Sequence, residues 1–375
     1  MPSAMDIPGR LLPVVATLES ASRRVEACFD GAVRSELAPV QRLVEHVESY
    51  RGKMLRPRLV ILCGLAAGAE AVTDAHVTVA AVCEMIHMAT LVHDDVLDEA
   101  DIRRKGATVN RLRGNEAAVI LGDYLFSCAY RLCSTLDSQH ASLLIGETGM
   151  ALCSGELLQL HHRENLSLDE ATYFRIVELK TASLIAVACR LGATLSGADA
   201  PSAERFSQFG LCLGVAFQIQ DDLLDLTGQE DVVGKPLHRD VELGKLTLPV
   251  IHHLAAADAE RRGRTLMLLR PDLGGVHPGA GPAGAGAHGA GAHGAGAHGA
   301  GARGGAGAEN GRRTLSVPAF DELVDALHAT DSIAHARRAA EELVAKAKRA
   351  LEPVAGSPVK DLLLHMADQV VQRNS

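Results

Sequence analysis

The sequence contains no tryptophan, and aromatic residues make up only 3% of its 375 positions. None of its eight cysteines forms a CxxC pair, and most lie in apolar stretches, as is typical of reduced core cysteines in a cytosolic protein. The net charge of -9 argues against a general nucleic-acid-binding protein. These deficits argue against a disulfide framework and a general nucleic-acid-binding protein, and the chain is long enough to bury a large core as one big domain or two smaller ones.

Targeting and membrane signals are also missing. The N-terminus lacks a basic start, an apolar run and a small-residue cleavage site in that order, so we expect no signal peptide. The best candidates for a membrane span are interrupted by Asp74, Asp94 and Arg190. We therefore expect a cytoplasmic protein, with peripheral contact at a membrane surface left open.

Helical periodicity dominates what is present. Hydrophobic residues make up 47% of the chain, and from residue 11 to residue 270 they recur at spacings of three and four. Alternating strand patterns with hairpin turns are missing. Residues 77–98 are apolar on several faces, as in a helix buried inside a bundle. The pattern predicts an all-α fold, a bundle of long helices with one large core.

One segment interrupts the helices. Residues 279–308 are almost only Gly and Ala, with His288, His293 and His298 placed five apart. Such a composition buries no core, and long surface loops cost little closure entropy. We predict a helical core over 1–273, a disordered insertion over 274–312, and further helices of the same domain over 313–375. The three histidines fit a low-complexity expansion better than a metal site.

Two acidic motifs stand out. Each is a DDxxD sequence in an apolar helical context, and together they comprise Asp94, Asp95, Asp98, Asp221, Asp222 and Asp225. On a helix the first and last aspartate of each motif share a face, where their like charges repel. A cation between them removes that cost, and Mg²⁺ prefers such oxygen ligands and is commonly shared with phosphates. A single copy reads equally well as a solvated acidic face, but two copies favour a metal cage.

Basic groups accompany both motifs. Lys and Arg residues near them suit phosphate binding, Arg through its bidentate fork and Lys as a point charge. They are Lys53 and Arg56 before the first motif, Arg103 and Arg104 after it, Lys180 midway, and Lys235 and Lys245 after the second. We expect the acidic and basic groups together to bind a diphosphate.

The motifs resemble those of the trans-isoprenyl diphosphate synthases. Residues 84–95 with Arg103-Arg104 resemble the first aspartate-rich region of that family, and residues 217–225 resemble the second. The order of the remaining motifs is also similar: Gly52-Lys53-Met54-Leu55-Arg56-Pro57, Gly122-Asp123-Tyr124, Gly155-Glu156, Lys180-Thr181 and two late Gly-Lys pairs. The resemblance spans nearly the whole chain except the insertion. It is nearest to bacterial long-chain polyprenyl synthases that make quinone side chains, and it departs from them where Lys105 separates Arg104 from Gly106.

The resemblance implies a helical bundle around a deep cavity and a set of residue roles. Asp94, Asp98 and Asp221 would bind two or three Mg²⁺ ions bridging an allylic diphosphate, supported by Asp95, Asp222 and Asp225. The remaining roles divide by substrate. Arg103, Lys180, Lys235 and Lys245 would hold the allylic diphosphate; Lys53, Arg56, His87 and Arg104 would hold isopentenyl diphosphate; Thr181, Phe217 and Gln218 would line the reacting centre. The family also implies a homodimer.

Product length depends on the helix that carries the first motif. At 1.5 Å per residue, Ala89 and Thr90 lie roughly 6–8 Å below the metal site. In the resembling family, bulky residues there stop growth. Both are small here, so we expect a tunnel continuing towards Ala81 and Met85 and a product of about thirty carbons or more.

Three other functions were weighed. The first alternative is a geranylgeranyl or farnesyl diphosphate synthase, which would make a shorter product. A class I terpene cyclase shares the fold and first motif, but the second DDxxD and the few aromatics disfavour it. A non-catalytic partner subunit is disfavoured because both sets of aspartates are kept.

Overall fold

A computed structural model of the chain describes residues 9–48, 50–104, 106–228, 239–270 and 316–372. Helices account for most of these residues, and the all-α prediction is confirmed. A short 3₁₀ turn, Gly9–Leu11, precedes the first helix. The helices are α1 Leu12–Val33, α2 Ala38–Glu48, α3 Leu55–Ala66, α4 Asp74–Leu97, α5 Val109–Arg113, α6 Asn115–Cys133, α7 Gln139–His161, α8 Glu170–Val177, α9 Ser183–Leu195, α10 Ala200–Thr227, α11 Arg239–Glu242, α12 Leu248–Ala256, α13 Ala259–Leu269, α14 Val317–Ala329, α15 Ser332–Ala350 and α16 Pro358–Val371.

Two departures from regular α-helix lie near the acidic and basic motifs. A π-helical turn, Glu178–Ala182, connects α8 to α9. A two-stranded antiparallel hairpin, β1 Ile102–Arg103 and β2 Gly106–Ala107, follows α4, with Arg103 paired to Gly106. The hairpin was not predicted, because strands of two residues are too short to show an alternating pattern.

The helices that carry the acidic motifs form the centre of the bundle. α4 packs against α1, α3, α6 and α9, and α10 packs against α9, α15 and α16. Local sequence fixes where each begins. Thr73 caps α4 in a capping box with His76, and the Asp199 carboxylate caps α10 by accepting a hydrogen bond from the Ser202 N–H at 2.9 Å. α4 and α10 are thereby held so that their C-terminal turns reach the same cavity.

α4 is the one described helix long and apolar enough to cross a membrane. Its apolar window includes most of the helix, and 72% of that window is buried inside the protein. Val79 and Met88, which lie on opposite faces of the helix, are both fully buried. A helix covered on every side by other helices is a core helix, so its hydrophobicity follows from its central position.

The proposed insertion at 274–312 lies outside the described residues. The chain resumes with α14, which packs against α12, α13 and α15. α15 and α16 then pack on α10, so the C-terminal helices share the core of the preceding ones.

Candidate active site

Both acidic motifs open onto one cavity of about 1010 Å³. From α4 it is lined by Asp94 and Asp98, and from α10 by Asp221 and Asp222. The motifs are 127 positions apart in the sequence (94 to 221), yet the fold brings their carboxylates to the same space. The cavity is therefore the natural place for the chemistry that these motifs carry.

Two lysines from elsewhere in the chain pair with the first motif. Lys180 Nζ lies 3.7 Å from Asp94 Oδ1, and Lys245 Nζ donates to both oxygens of Asp98 at 2.7 and 2.8 Å. Arg163 reaches Asp98 Oδ1 at 3.5 Å. Burial raises the pKa of Asp94, and Lys180 opposes that shift. The first motif is thus a half-buried acidic wall whose charge is balanced in part by Lys180 and Lys245, which were predicted to bind phosphate.

Asp95 faces away from the cavity. It is 1% exposed and accepts hydrogen bonds from Arg103 through Nε at 2.9 Å and Nη2 at 2.8 Å. The Arg103 guanidinium also lies 5.8 Å from the centre of the Tyr50 ring. Burial raises the pKa of Asp95, and the hydrogen bond and charge of Arg103 act in the opposite direction. Asp95 therefore orients Arg103, which lines the cavity.

The second motif is held by neutral donors. Tyr173 donates to Asp222 Oδ2 at 2.7 Å, and Gln218 Nε2 donates to Asp222 Oδ1 at 2.8 Å. Burial and the neighbouring Asp240 raise the pKa of Asp222 to about 8. Gln218 in turn accepts a hydrogen bond from Thr181 at 3.0 Å. Asp225 is buried behind the cavity, where it accepts a hydrogen bond from the Asp240 backbone N–H at 3.3 Å.

The π-helical turn places Lys180 and Thr181 between the two motifs. Lys180 Nζ donates to Gln159 Oε1 at 2.9 Å and forms an ion pair with Glu156. The turn lies directly against α7, since a Cβ atom on Gly155 would come within 2.6 Å of the Lys180 backbone N. A π-helical turn is a common feature of functional sites, because it re-aims side chains that a regular helix would turn away. Gly155 therefore permits the approach that positions Lys180.

A second basic group lines another part of the cavity. It comprises Lys53, Arg56, His87 and Arg104. Met54 caps α3 with φ at 53°, a left-handed conformation that is uncommon for such a residue and marks a constrained loop. The buried Glu84 carboxyl lies among these cations; burial raises its pKa, and Arg56 and Arg104 oppose the rise. Burial and then the charge of Arg56 lower the pKa of His87, so His87 is neutral at pH 7.

The sequence profile of the polyprenyl synthetase family matches residues 38–273, which is more than half of the chain. The chain belongs to the polyprenyl synthetase family. Members of this family are prenyl transferases that use a divalent metal, and this chain is accordingly a prenyl transferase of the prenyl diphosphate synthase class.

Named relatives agree with that membership. Octaprenyl diphosphate synthase of Escherichia coli (strain K12) is 31% identical over 350 residues, covering 93% of this chain and 95% of that enzyme. Heptaprenyl diphosphate synthase component 2 of Geobacillus stearothermophilus is 38% identical over 231 residues, covering 62% of this chain and 72% of its own length. A polyprenyl synthase from Caulobacter crescentus CB15, solved in complex with calcium and isoprenyl diphosphate, superposes with a TM-score of 0.81 at 27% identity, and both chains are covered completely.

Most of the predicted site residues of this polyprenyl synthetase meet at the cavity. Thr181, Phe217 and Gln218 line it, as do the predicted phosphate-binding residues that are described. Lys235 lies outside the described residues. Ala89 differs from the prediction: it is fully buried and absent from the cavity lining, whereas Thr90 lines it. Neighbouring residues on a helix point about 100° apart, so Thr90 shares the face of Asp94 and Ala89 does not.

The cavity lining does not follow α4 in the predicted way. Ala81 and Met85 are fully buried and do not line the cavity. The lining instead includes Phe126 of α6 and Cys153 of α7. Periodicity along α4 alone could not reveal this, because α6 and α7 supply the wall.

Several functional contacts were missed from the sequence. Glu156 and Gln159 fix Lys180, and Tyr173 holds Asp222. Gly155-Glu156 was noted as a motif without a role, and Tyr173 lies in no motif. Their partners are distant in sequence, so no local pattern connects them.

The residues at the cavity fit a divalent metal shared with a diphosphate. In the described ranges, no three His, Cys, Asp or Glu side chains converge to enclose an ion by themselves. Mg²⁺ is commonly bound by one or two carboxylates together with substrate phosphate oxygens, so such a closed set is not required. The oxygen-only donors Asp94, Asp98 and Asp221 at one cavity suit that arrangement.

Proposed function

We propose that this polyprenyl synthetase condenses isopentenyl diphosphate head to tail with an allylic diphosphate in a Mg²⁺-dependent reaction, and repeats the step to a product of about thirty carbons or more. The observation that carries the proposal is the meeting of two DDxxD motifs and two separate basic groups at one cavity. A cavity with two cationic groups suits two diphosphates at once.

The allylic diphosphate belongs with the acidic motifs. Lys180, Lys245 and Arg103 are the cations nearest to Asp94, Asp98 and Asp95. Two or three Mg²⁺ ions at Asp94, Asp98 and Asp221, with Asp222 and Asp225 supporting them, would supply charge neutralisation of the leaving diphosphate. Lys180 and Lys245 each hold an ammonium group where negative charge develops as the allylic C–O bond breaks, and such preorganised charge lowers the barrier.

Isopentenyl diphosphate belongs with the second basic group. Lys53, Arg56 and Arg104 contribute positive charge, and neutral His87 contributes an N–H donor. Glu84 holds Arg56 and Arg104 by charge attraction, which keeps their guanidinium groups in place before substrate arrives. The bound double bond is then presented to the allylic carbon.

The reaction also needs protection from water. Phe217, Leu91 and Val177 give the cavity apolar walls, so an allylic cation is attacked by the double bond and not by solvent. The Thr181–Gln218 pair lies beside these walls and fixes the reacting centre. The proton released on forming the new double bond passes to the departing diphosphate, so no protein base is required.

Product length follows from what limits the cavity past Thr90. Thr90 is small, and its hydroxyl is turned to the His87 carbonyl, to which it donates at 2.8 Å. The growing chain therefore passes Thr90 towards Phe126 and Cys153. A bulky residue at position 90 would favour a short product, and this chain has threonine there.

A homodimer is supported by an uncovered apolar face on α6 and α7. Leu143, Met150 and Leu157 recur every seven residues along α7 and are 58%, 72% and 67% exposed. Ile120 on α6 is 66% exposed. Exposed apolar patches of this kind mark protein interfaces. Met150→Glu should convert a dimer to a monomer in light scattering; a wild type that is already a monomer at micromolar concentration would contradict the homodimer.

The test of function is chromatography of products from farnesyl diphosphate, labelled isopentenyl diphosphate and Mg²⁺. A ladder ending at thirty carbons or more supports the full proposal. A ladder ending at twenty keeps the reaction and overturns the product length. No incorporation by the isolated chain, with incorporation restored by a second subunit, would overturn the homodimer.

A further inference from the structure

The C-terminal helix α16 presents one continuous face to the cavity. Five of its residues line the cavity at spacings of three and four, so they lie on a single stripe: Leu362, His365, Met366, Gln369 and Val370. α16 packs against α3, the helix whose first turn carries Arg56. The stripe and Arg56 therefore line the same cavity.

His365 is the unusual member of this stripe. Its Nε2 atom is buried and has no hydrogen-bond partner among the described residues. Further buried atoms in the lining of the same cavity, among them Arg56 Nε and Glu84 Oε2, also lack a hydrogen-bond partner there. Leaving buried polar groups unpaired costs stability, and such a cluster is expected where a polar ligand completes the hydrogen bonds. Gln369, one turn further along α16, adds a second polar side chain.

We infer that His365 binds the diphosphate of isopentenyl diphosphate by donating a hydrogen bond from Nε2, as a fifth contact beside Lys53, Arg56, His87 and Arg104. This inference rests on the proposed function, because it concerns the second substrate of that reaction. α16 then becomes part of the substrate site and not only a cover for the core. Its apolar members Leu362, Met366 and Val370 keep water from the phosphate contacts.

The matched pair His365→Gln and His365→Asn tests this role. Gln carries its amide nitrogen at about the reach of Nε2, and Asn carries it about one bond shorter, at the reach of Nδ1. Both variants remain polar, so they differ in reach more than in folding. His365→Leu removes the donor altogether, and Leu364→Met, on α16 but outside the cavity lining, is the control.

We expect His365→Asn and His365→Leu to raise the KM for isopentenyl diphosphate about tenfold, the effect of losing one hydrogen bond to a charged group. The KM for the allylic diphosphate and kcat should stay within about twofold, and His365→Gln should stay near wild type. His365→Leu should leave the melting temperature unchanged or raise it, because it removes an unpaired buried nitrogen.

An unchanged KM for isopentenyl diphosphate in both Asn and Leu variants would overturn the inference, as would equal losses for both substrates. If His365 instead contacts the hydrocarbon part of a substrate, His365→Leu should lower the KM for that substrate. That result would also overturn the inference. Failure of the wild type to incorporate isopentenyl diphosphate would instead refute the proposed function, so the two failures are distinguishable.

Discussion

Replacing Lys180 by methionine separates charge balance from catalysis. The Lys180 ammonium group pairs with Glu156 and lies 3.7 Å from Asp94, and the side chains are 21%, 16% and 24% exposed. Removing one partner of a buried ion pair costs about 3–5 kcal/mol, and partial exposure reduces that here to roughly 2–3 kcal/mol. Lys180→Met should therefore unfold at lower urea concentration, while activity falls by about a hundredfold or more through lost stabilisation of the leaving diphosphate.

The double variant Lys180→Met/Glu156→Gln tests the reasoning. Neutralising Glu156 removes one of the two uncompensated carboxylates, so the double variant should regain at least half of the lost stability, measured by urea unfolding followed by circular dichroism. It should regain almost none of the activity, because the phosphate-binding ammonium group is still missing. A double variant as unstable as the single one would refute the ion-pair account. Recovery of turnover together with stability would show that Lys180 acts only structurally.

Three further outcomes are expected. Thr90→Phe should shorten the product ladder while the first condensation proceeds, whereas Ala89→Phe should mainly lower the melting temperature because position 89 is fully buried. Equal product ladders for wild type and Thr90→Phe would contradict the proposed path of the growing chain past Thr90. Replacing residues 279–308 by a short linker should leave turnover and melting temperature nearly unchanged, since the segment is almost only Gly and Ala and both acidic motifs precede it; a several-fold loss of turnover would reveal a role. Burial lowers the pKa of the fully buried His253, so the free energy of unfolding should fall as pH drops below about 6.5, by at most about 1.4 kcal/mol per pH unit for this residue. In His253→Gln, the free energy of unfolding measured in urea should depend less on pH between 7.5 and 5.5.

The fold was largely predictable because its helices are long and their periodicity is strong. The apolar faces of α4 and α10, with caps at Thr73 and Asp199, define both helices from local sequence alone. The hairpin after α4 and the π-helical turn at Glu178–Ala182 were not predictable. Both depend on contacts across the bundle, such as the approach of Gly155 to the π-helical turn, and not on local propensity.

The site was predictable where residue type alone carries the chemistry. Asp94, Asp98 and Asp221 were predicted to bind a metal–diphosphate complex because few other roles suit carboxylates in an apolar helix. The structure places all three in the cavity lining. The contribution of Phe126 and Cys153 to the cavity lining was not predictable, because they come from helices whose packing the sequence does not reveal. His365 was missed for the same reason: it is a single histidine in an apolar helix until α16 is seen against α3.

The most direct test of the central claim is the rate of labelled isopentenyl diphosphate incorporation by wild type and by Asp94→Asn and Asp221→Asn, each with Mg²⁺ and with EDTA. Wild type should form allylic products only with Mg²⁺, and both variants should lose all but about a hundredth of the rate while keeping the helical spectrum of the wild type. Turnover within a few-fold of wild type in either variant, or in EDTA, would contradict a metal–diphosphate site built on the two motifs.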